Sequence, residues 1–285
     1  MREGHLSGLW AICVGAGLIS GASCGAQSDA NAPLPEPRQL IQDVMAHQAK
    51  VESVRENYTY SSAQTVNDID ASGKVTKTET SENEDFFVNG HVIERTVKKN
   101  GQPLNDHDEK KETERVTKLV EKAEKTPSGQ PLEGQTVSVT RILGIMDVGP
   151  PRRVTYRGRP TIVFDFVGRR DAKTHGLAED ASKKLKGTIW IDEADREVAH
   201  LEAMFDDNLR VGGGLLANVQ KGSSFRFDQA PVDGGLWLPT GAEGTVQAKL
   251  LLVKTMREHF VERDYDYKRF KVDAQQTKSA SVVTK

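Results

Sequence analysis

Cysteine is almost absent from this chain of 285 residues, which contains only Cys13 and Cys24. Both lie near the N-terminus, so the rest of the sequence offers neither a disulfide framework nor a thiolate metal site. Beyond the N-terminal segment, no stretch is apolar over the roughly 18 residues that a membrane-spanning helix needs. We therefore expect core packing alone to hold the downstream domain together.

Aromatic residues and net charge are also scarce. Phe, Trp and Tyr make up 6% of the chain, which leaves few platforms on which nucleobases could stack. The 39 basic and 41 acidic residues give a net charge of −2, without the basic excess that a phosphate backbone attracts. The composition argues against a nucleic-acid partner.

Signatures of catalysis and metal binding are missing. No histidine is spaced from another histidine or a cysteine as zinc ligands are, and the glycines at 212–214 lack the Lys-Ser/Thr of a phosphate loop. Two carboxylate pairs, Asp192 with Asp195 and Asp264 with Asp266, could in principle act as acid and base. Their place in turns and on strand faces of a charge-rich chain favours solvated surface instead. We expect a protein without enzymatic activity, cofactor or metal.

The N-terminal 26 residues have the pattern of a secretory signal peptide. Arg2 precedes an apolar stretch at 9–19, and small residues follow it. Two cleavage sites compete: one precedes Gln27, and the other would leave Cys24 as a lipidated first residue. Gly21 stands where a lipoprotein signal usually has leucine. We expect an exported, periplasmic protein, either soluble or anchored to the outer membrane through Cys24. The Pro- and Ala-rich segment 27–37 then predicts a linker.

The segment 68–79 matches a calcium-binding EF-hand loop at its positions one, three, five, six and twelve. The flanking residues alternate like strands, whereas an EF-hand loop ends on a helix that folds Glu79 back towards the ion. We therefore interpret this segment as a hairpin turn, in which Asp and Gly are typical residues.

Alternating apolar residues predict many short strands. The clearest hairpin is 187–205, with a turn at 193–196 and Leu201 and Phe205 on one face. Helices are predicted at 38–55, at 106–125 and at 177–186, the last ended by Gly187 in a left-handed conformation. Val139, Ile142, Leu143 and Met146 predict a further short helix. A short edge-like strand is predicted at 236–239.

These elements predict a mainly β (α+β) domain at 38–273, followed by a disordered tail at 274–285. Strands joined by hairpin turns favour one large antiparallel sheet, and a sheet of this size curls into a half-barrel. We expect the helices to lie on its concave side.

Four segments resemble outer-membrane lipoprotein-sorting proteins of the LolA type. They are Gly-Thr-Ile-Trp-Ile-Asp at 187–192, the return strand 198–205, Leu-Trp-Leu-Pro at 236–239 and the closing strand 265–270. The signal peptide and the first helix fit the same family. The resemblance implies a curved antiparallel half-barrel that binds acyl chains in its concave groove, but no single functional residue of that family can be matched here.

Residues that share the apolar faces of successive strands are the predicted groove. They are Ile162, Phe164, Phe166, Ile189, Ile191, Leu201, Phe205, Phe225, Phe227, Leu250 and Leu252. We expect them to bind a lipid or the acyl chain of a lipoprotein, with an envelope protein as a further candidate partner. Two alternatives stay open: an envelope hydrolase that uses a carboxylate pair, and a structural module without a ligand.

Overall fold

One large antiparallel sheet of 14 strands forms the body of the molecule, and it is open rather than closed. The computed structural model describes residues 33–127, 132, 144–174, 176–232, 235–251 and 253–269. The strands are β1 (Tyr58–Ile69), β2 (Val75–Val88), β3 (His91–Lys99), β4 (Gln102–Pro103), β5 (Met146–Val148), β6 (Arg152–Tyr156), β7 (Arg159–Gly168), β8 (Leu185–Asp192), β9 (Val198–Phe205), β10 (Leu209–Val211), β11 (Ala217–Val219), β12 (Ser224–Pro231), β13 (Trp237–Leu250) and β14 (Lys254–Arg269).

The main strand order is β4-β3-β2-β1-β14-β13-β12-β9-β8-β7-β5. In addition, β6 pairs with β7, β10 with β11, and β11 with β13. The predicted fold class is confirmed.

The hairpins turn where the sequence places residues that tolerate positive φ. Asn89 and Gly90 have φ values of 49° and 76°, and Arg157 and Gly158 have 49° and 79°. Positive φ at both central residues is the type I′ pattern, whose twist matches that of the flanking strands. The 68–79 segment is also a hairpin turn, as expected.

Helix α1 (Pro37–Arg55) covers the apolar side of the sheet, which we call the inner face. Its N-terminus is capped by Glu36, whose carboxylate accepts a hydrogen bond from the backbone N–H of Gln39 at 2.8 Å. Leu40, Ile41 and Val44 are buried against the strands. The short helix α3 (Gly176–Ser182) also packs on this face, through Ala181.

Helix α2 (Asp106–Lys125) lies on the opposite side of the sheet, which we call the outer face. It packs a narrow apolar edge, centred on the buried Ala123, against Ile93 of β3. Arg95 of β3 reaches Glu109 of α2 at 2.6 Å. Most of its remaining surface is solvated. The expectation that the helices share one side of the sheet was wrong for α2, because its narrow apolar edge packs on the outer face and leaves the inner face to α1 and α3. Within the described residues, no helix is both long and apolar enough to cross a membrane.

Two local predictions were wrong, and a third needs extension. Gly187 does not end a helix: α3 stops at Ser182, and Gly187 lies inside β8, where it pairs with Phe166 and Ala203. Met146 begins β5 instead of ending a helix. The strand predicted at 236–239 forms the start of the long β13. Its edge-like character is confirmed: among the described residues, 237–239 pair with β12 alone, and β14 pairs with β13 from Gly241 onward. A register irregularity next to Pro239 accommodates the missing N–H.

Several predicted features lie outside the described residues. They are the signal peptide at 1–26 with Cys24, the linker up to residue 32, Val139, Ile142 and Leu143, Leu252, the end of the predicted domain at 270–273, and the tail at 274–285.

Candidate functional site

A row of residues that alternates in size crosses the inner face from strand to strand. Its members, paired successively from β7 to β14, are Phe166, Gly187, Ala203, Phe225, Gly244 and Phe260. The glycines leave room for neighbouring rings, because a Cβ at position 244 would meet the Phe260 ring at 2.5 Å. The row continues to Val66 of β1. Large and small side chains thus interlock into one apolar surface that spans seven strands.

The structure brings the predicted groove residues together in one cluster. Leu250 is half-buried and packs against it, and the others that the structure describes are buried in it. These are Ile162, Phe164, Phe166, Ile189, Ile191, Leu201, Phe205, Phe225 and Phe227. Leu40, Ile41 and Val44 of α1 belong to the same cluster. In this conformation the centre of the predicted groove is therefore filled.

A buried carboxylate at the start of β9 contacts a side chain of α1. Glu197 precedes β9 and has no solvent exposure, and its Oε1 lies 3.0 Å from Nε2 of His47. A buried charge is costly unless it is paired. This contact joins α1 to the start of β9.

The inner face becomes acidic beyond β13. The apolar row of Phe164, Ile189, Leu201, Phe227 and Ala242 continues directly to Glu262 of β14 and Gln64 of β1. Further along are Asp264, Asn83, Asp85 and Glu94. We call Asp85, Glu94, Glu262 and Asp264 the acidic patch.

Burial is the main cause of the pKa shifts in the acidic patch. It raises the pKa of Asp85 to about 8 against a weaker hydrogen bond from Ser62, and like charges add to the rise. Burial also raises the pKa values of Glu262 and Asp264. Three buried acceptor atoms here have no hydrogen-bond partner: Oδ1 of Asn83 and the Oδ2 atoms of Asp85 and Asp264. This part of the face is therefore suited to a group that donates hydrogen bonds or carries positive charge.

The acidic patch was not predicted from the sequence. The available signal was the alternation in β14, where Phe260, Glu262 and Asp264 occupy one face. Strand alternation predicts the shared face, but only the pairing of β14 with β1, of β1 with β2 and of β2 with β3 brings the four carboxylates together.

The outer face carries a groove of about 630 Å³ across β7, β8, β9, β12, β13 and β14. The backbone of the alternating row forms its floor, and charged side chains such as Lys186, Glu202 and Arg226 form its walls. Glu243 lies in it, 2.9 Å from Nε2 of His259. The groove is thus polar at its walls, unlike the inner face.

A histidine network that the sequence analysis also missed borders this groove. His200 places Nδ1 2.8 Å from Asp228 and Nε2 3.1 Å from Glu202. Its ring stacks on Tyr156 and meets Trp190 edge-on. Burial alone would lower the pKa of His200, but the hydrogen bonds to both carboxylates raise it overall. The network joins β9 to β12, and it becomes an ion pair when His200 is protonated; His200 is buried, Asp228 is half-buried and Glu202 is exposed.

Neither of the two carboxylate pairs considered from the sequence has the surroundings of an acid–base site. Asp192 and Asp195 both bind the guanidinium of Arg159, and Asp192 also caps the following turn. Asp264 is buried in the acidic patch, whereas Asp266 is exposed. Over the described ranges, no group of three or more His, Cys, Asp or Glu side chains has the arrangement of a metal site.

Comparison with known proteins finds similarity at the level of the backbone. No family model matches the sequence, and no curated protein matches it. A DUF1329 family protein from Desulfovibrio piger has a TM-score of 0.38 and 9% identity, over 84% of this chain and 95% of that chain. An outer membrane lipoprotein-sorting protein domain from Vibrio parahaemolyticus has a TM-score of 0.37 and 10% identity, over 85% and 96% respectively. Both relationships are distant.

Proposed function

We propose that this chain is an exported, non-enzymatic protein of the cell envelope that binds an acyl chain of a lipid or lipoprotein. The ligand lies between the inner face and α1, in the place that Leu40, Ile41 and Val44 fill in the closed conformation. The observation that supports this proposal is the unbroken apolar row from β7 to β1. Among the described residues, helix α1 is the main element that covers this row. The signal-like N-terminus supports export.

Helix α1 and a bound acyl chain gain similar free energies from burial on the inner face. Lifting Leu40, Ile41 and Val44 off the sheet costs about 1.5–3 kcal/mol for each side chain, or roughly 5–9 kcal/mol in total. An acyl chain gains about 0.8 kcal/mol per buried methylene, so about 12 methylenes gain roughly 10 kcal/mol. Breaking the contact of His47 with the buried Glu197 adds to the cost of lifting α1. Only long chains are therefore expected to displace the helix, whereas an octyl chain, at about 6 kcal/mol, competes poorly.

The acidic patch selects the head group of this ligand. It adjoins the end of the apolar row, where the polar end of an amphiphile would lie. A carboxylate head would place one more acid beside four carboxyl groups whose pKa values are already raised, and its charge would be disfavoured there. A head group with N–H donors or positive charge would instead satisfy the free acceptors of Asn83, Asp85 and Asp264. We therefore favour ligands with a neutral donor or a cationic head.

Displacement of the neutral fluorescent probe N-phenyl-1-naphthylamine tests the proposal. We expect hexadecylamine to displace the probe, octylamine to do so much less well, and hexadecanoate to be weaker than hexadecylamine. If none of the three displaces it, or if the probe does not bind, the carrier function is wrong and a structural module is favoured. Equal displacement by amine and carboxylate would retain the acyl site and reject the head-group assignment.

Two matched variants locate the site. Leu40→Ala weakens the cover and should tighten hexadecylamine binding about tenfold, because less packing has to be broken. Ile93→Ala removes an equally buried side chain under α2 on the outer face, and it should cost similar stability without changing affinity. Phe166→Asp or Leu201→Asp should abolish binding, with circular dichroism to confirm folding. An equal change in affinity for Leu40→Ala and Ile93→Ala would contradict the inner-face location.

A further inference from the structure

Two turns meet at one end of the sheet and form an exposed apolar surface. The first connects β10 to β11 through the short 3-10 helix Gly212–Gly214, and the second connects β13 to β14. The backbone N–H of Leu251 donates to the carbonyl of Leu216 at 3.1 Å, so the two turns are joined. We call Leu215, Leu216, Leu251 and Val253 the apolar tip.

The side chains of the apolar tip are among the most exposed large hydrophobic residues of the described chain. Their exposed fractions are 63% for Leu215, 58% for Leu216, 66% for Leu251 and 87% for Val253. Scattered exposed hydrophobic residues are normal, but a contiguous exposed group indicates a site of interaction.

The tip is basic although the whole chain is not. Residues 209–222 and 244–257 contain five basic residues, Arg210, Lys221, Lys249, Lys254 and Arg257, and no acidic residue. Over the whole chain, acids outnumber bases by 41 to 39. The neighbouring β1–β2 segment, 68–77, is neutral, with two aspartates and two lysines.

The backbone N–H groups of the apolar tip are already hydrogen-bonded, as burial in an apolar medium requires. The N–H groups of Leu215, Leu216, Leu251 and Val253 all donate to carbonyls within or between the two turns. In hydrocarbon an unsatisfied N–H costs several kcal/mol. The tip therefore needs no water to satisfy these donors.

From these features we propose that the apolar tip inserts into the surface of an anionic lipid bilayer. The four aliphatic side chains enter the boundary between head groups and acyl chains, and Lys249 and Lys254 meet lipid phosphates. A protein partner fits less well, because protein interfaces are enriched in aromatic residues and depleted in lysine. A second copy of this chain would bring like charges together. This docking is independent of ligand binding on the inner face.

Flotation with vesicles tests this proposal. The full-length chain should bind vesicles that contain phosphatidylglycerol, and Leu216→Ser/Leu251→Ser should weaken binding about tenfold or more. Val167→Ser is the matched control, since Val167 is similarly exposed but lies on the outer face of β7. Lys249→Gln and Lys254→Gln should each weaken binding about fivefold on anionic vesicles, with little effect on phosphatidylcholine alone. The N-terminal apolar segment is common to all variants, so it does not affect these comparisons.

A second measurement reports insertion directly. The emission of Leu251→Trp should shift to the blue on anionic vesicles and be quenched by brominated lipid, whereas Val167→Trp should show neither change. Equal loss of binding in the tip and control variants, or no quenching of Leu251→Trp, would overturn the proposal. Self-association that the tip variant abolishes, without vesicle binding, would assign the surface to a second copy instead.

Discussion

Phe166 of β7 lies opposite Gly187 of β8, and a Cβ at position 187 would stand 2.7 Å from the Cζ atom of its ring. The same Cβ would lie 2.9 Å from the Cα atom of Ala203 and closer still to the carbonyl oxygen of Glu202. Glycine is therefore required by the close approach of a ring and a neighbouring strand. Gly187 does not have a positive φ angle, so the backbone conformation is not the reason for glycine at this position.

Gly187→Ala should lower the free energy of unfolding by about 3 kcal/mol, because the added methyl group overpacks a rigid backbone contact. Chemical denaturation measures the change. Gly149→Ala is the control, since its Cβ would find only an ordinary contact of 3.5 Å to the carbonyl oxygen of Asp165. Equal stability of the two variants would show that the sheet relaxes around position 187.

The His200–Asp228 ion pair makes stability depend on pH. The pKa of His200 is raised in the folded protein, so its contribution is fully present below the unfolded pKa of about 6.5 and is lost as pH rises through the folded value. NMR titration should give His200 a pKa above 6.5. In Asp228→Asn the pKa should fall, because burial then dominates.

Asp228→Asn should also destabilise the protein by about 3 kcal/mol at acidic pH, where its charge is needed most. Glu202→Gln removes the more exposed of the two partners of His200 and should have a smaller effect. If the pKa of His200 is the same in both variants and in the unmodified protein, the network does not control its protonation.

The hairpins and the apolar faces could be predicted from sequence because both are local signals. Asn89 and Gly90 specify a turn by themselves, and the alternation of Phe164 and Phe166 or of Phe225 and Phe227 specifies which residues share a face. These signals were sufficient for one large antiparallel sheet. The boundaries of the domain at 38 and 273 stay predictions, which a single unfolding transition in calorimetry would support.

Features that depend on which strands are neighbours could not be predicted. Gly187 has the sequence context of a helix stop, and only its pairing with Phe166 reveals the packing requirement. The acidic patch likewise forms because β14 pairs with β1, about 200 positions earlier in the chain. Helix α2 was expected on the same side of the sheet as the other helices, and its narrow apolar edge did not reveal that it packs on the outer face.

The 68–79 turn should not bind calcium at micromolar concentration. The carboxylate of Asp70 already accepts hydrogen bonds from the backbone N–H groups of Ser72 and Lys74, and Glu79 lies on β2, where it pairs with Val66. Titration calorimetry with CaCl₂ should therefore give no binding heat. Binding in the micromolar range or tighter would contradict the interpretation of this segment as a turn alone.

Asp85 should make the protein less stable as pH rises. Its pKa is about 8 in the folded state, chiefly through burial, against about 3.9 in an unfolded chain. Between these values the folded state binds more protons, so the free energy of unfolding falls by up to about 1.4 kcal/mol per pH unit. The carboxylates of Glu94, Glu262 and Asp264 face Asp85 and act in the same direction.

Asp85→Asn should remove part of this dependence, because an amide of the same shape carries no charge to bury. We expect the variant to be more stable than the unmodified protein at pH 8.5, with the difference shrinking towards pH 4. Asp266→Asn, on the exposed side of β14, removes one charge without burial and serves as the control. Thermal unfolding between these pH values measures the effect. A variant that is less stable at every pH would mean that the ionised carboxylate of Asp85 has a partner that holds the strands together, and a bound cation would then be the first group to test.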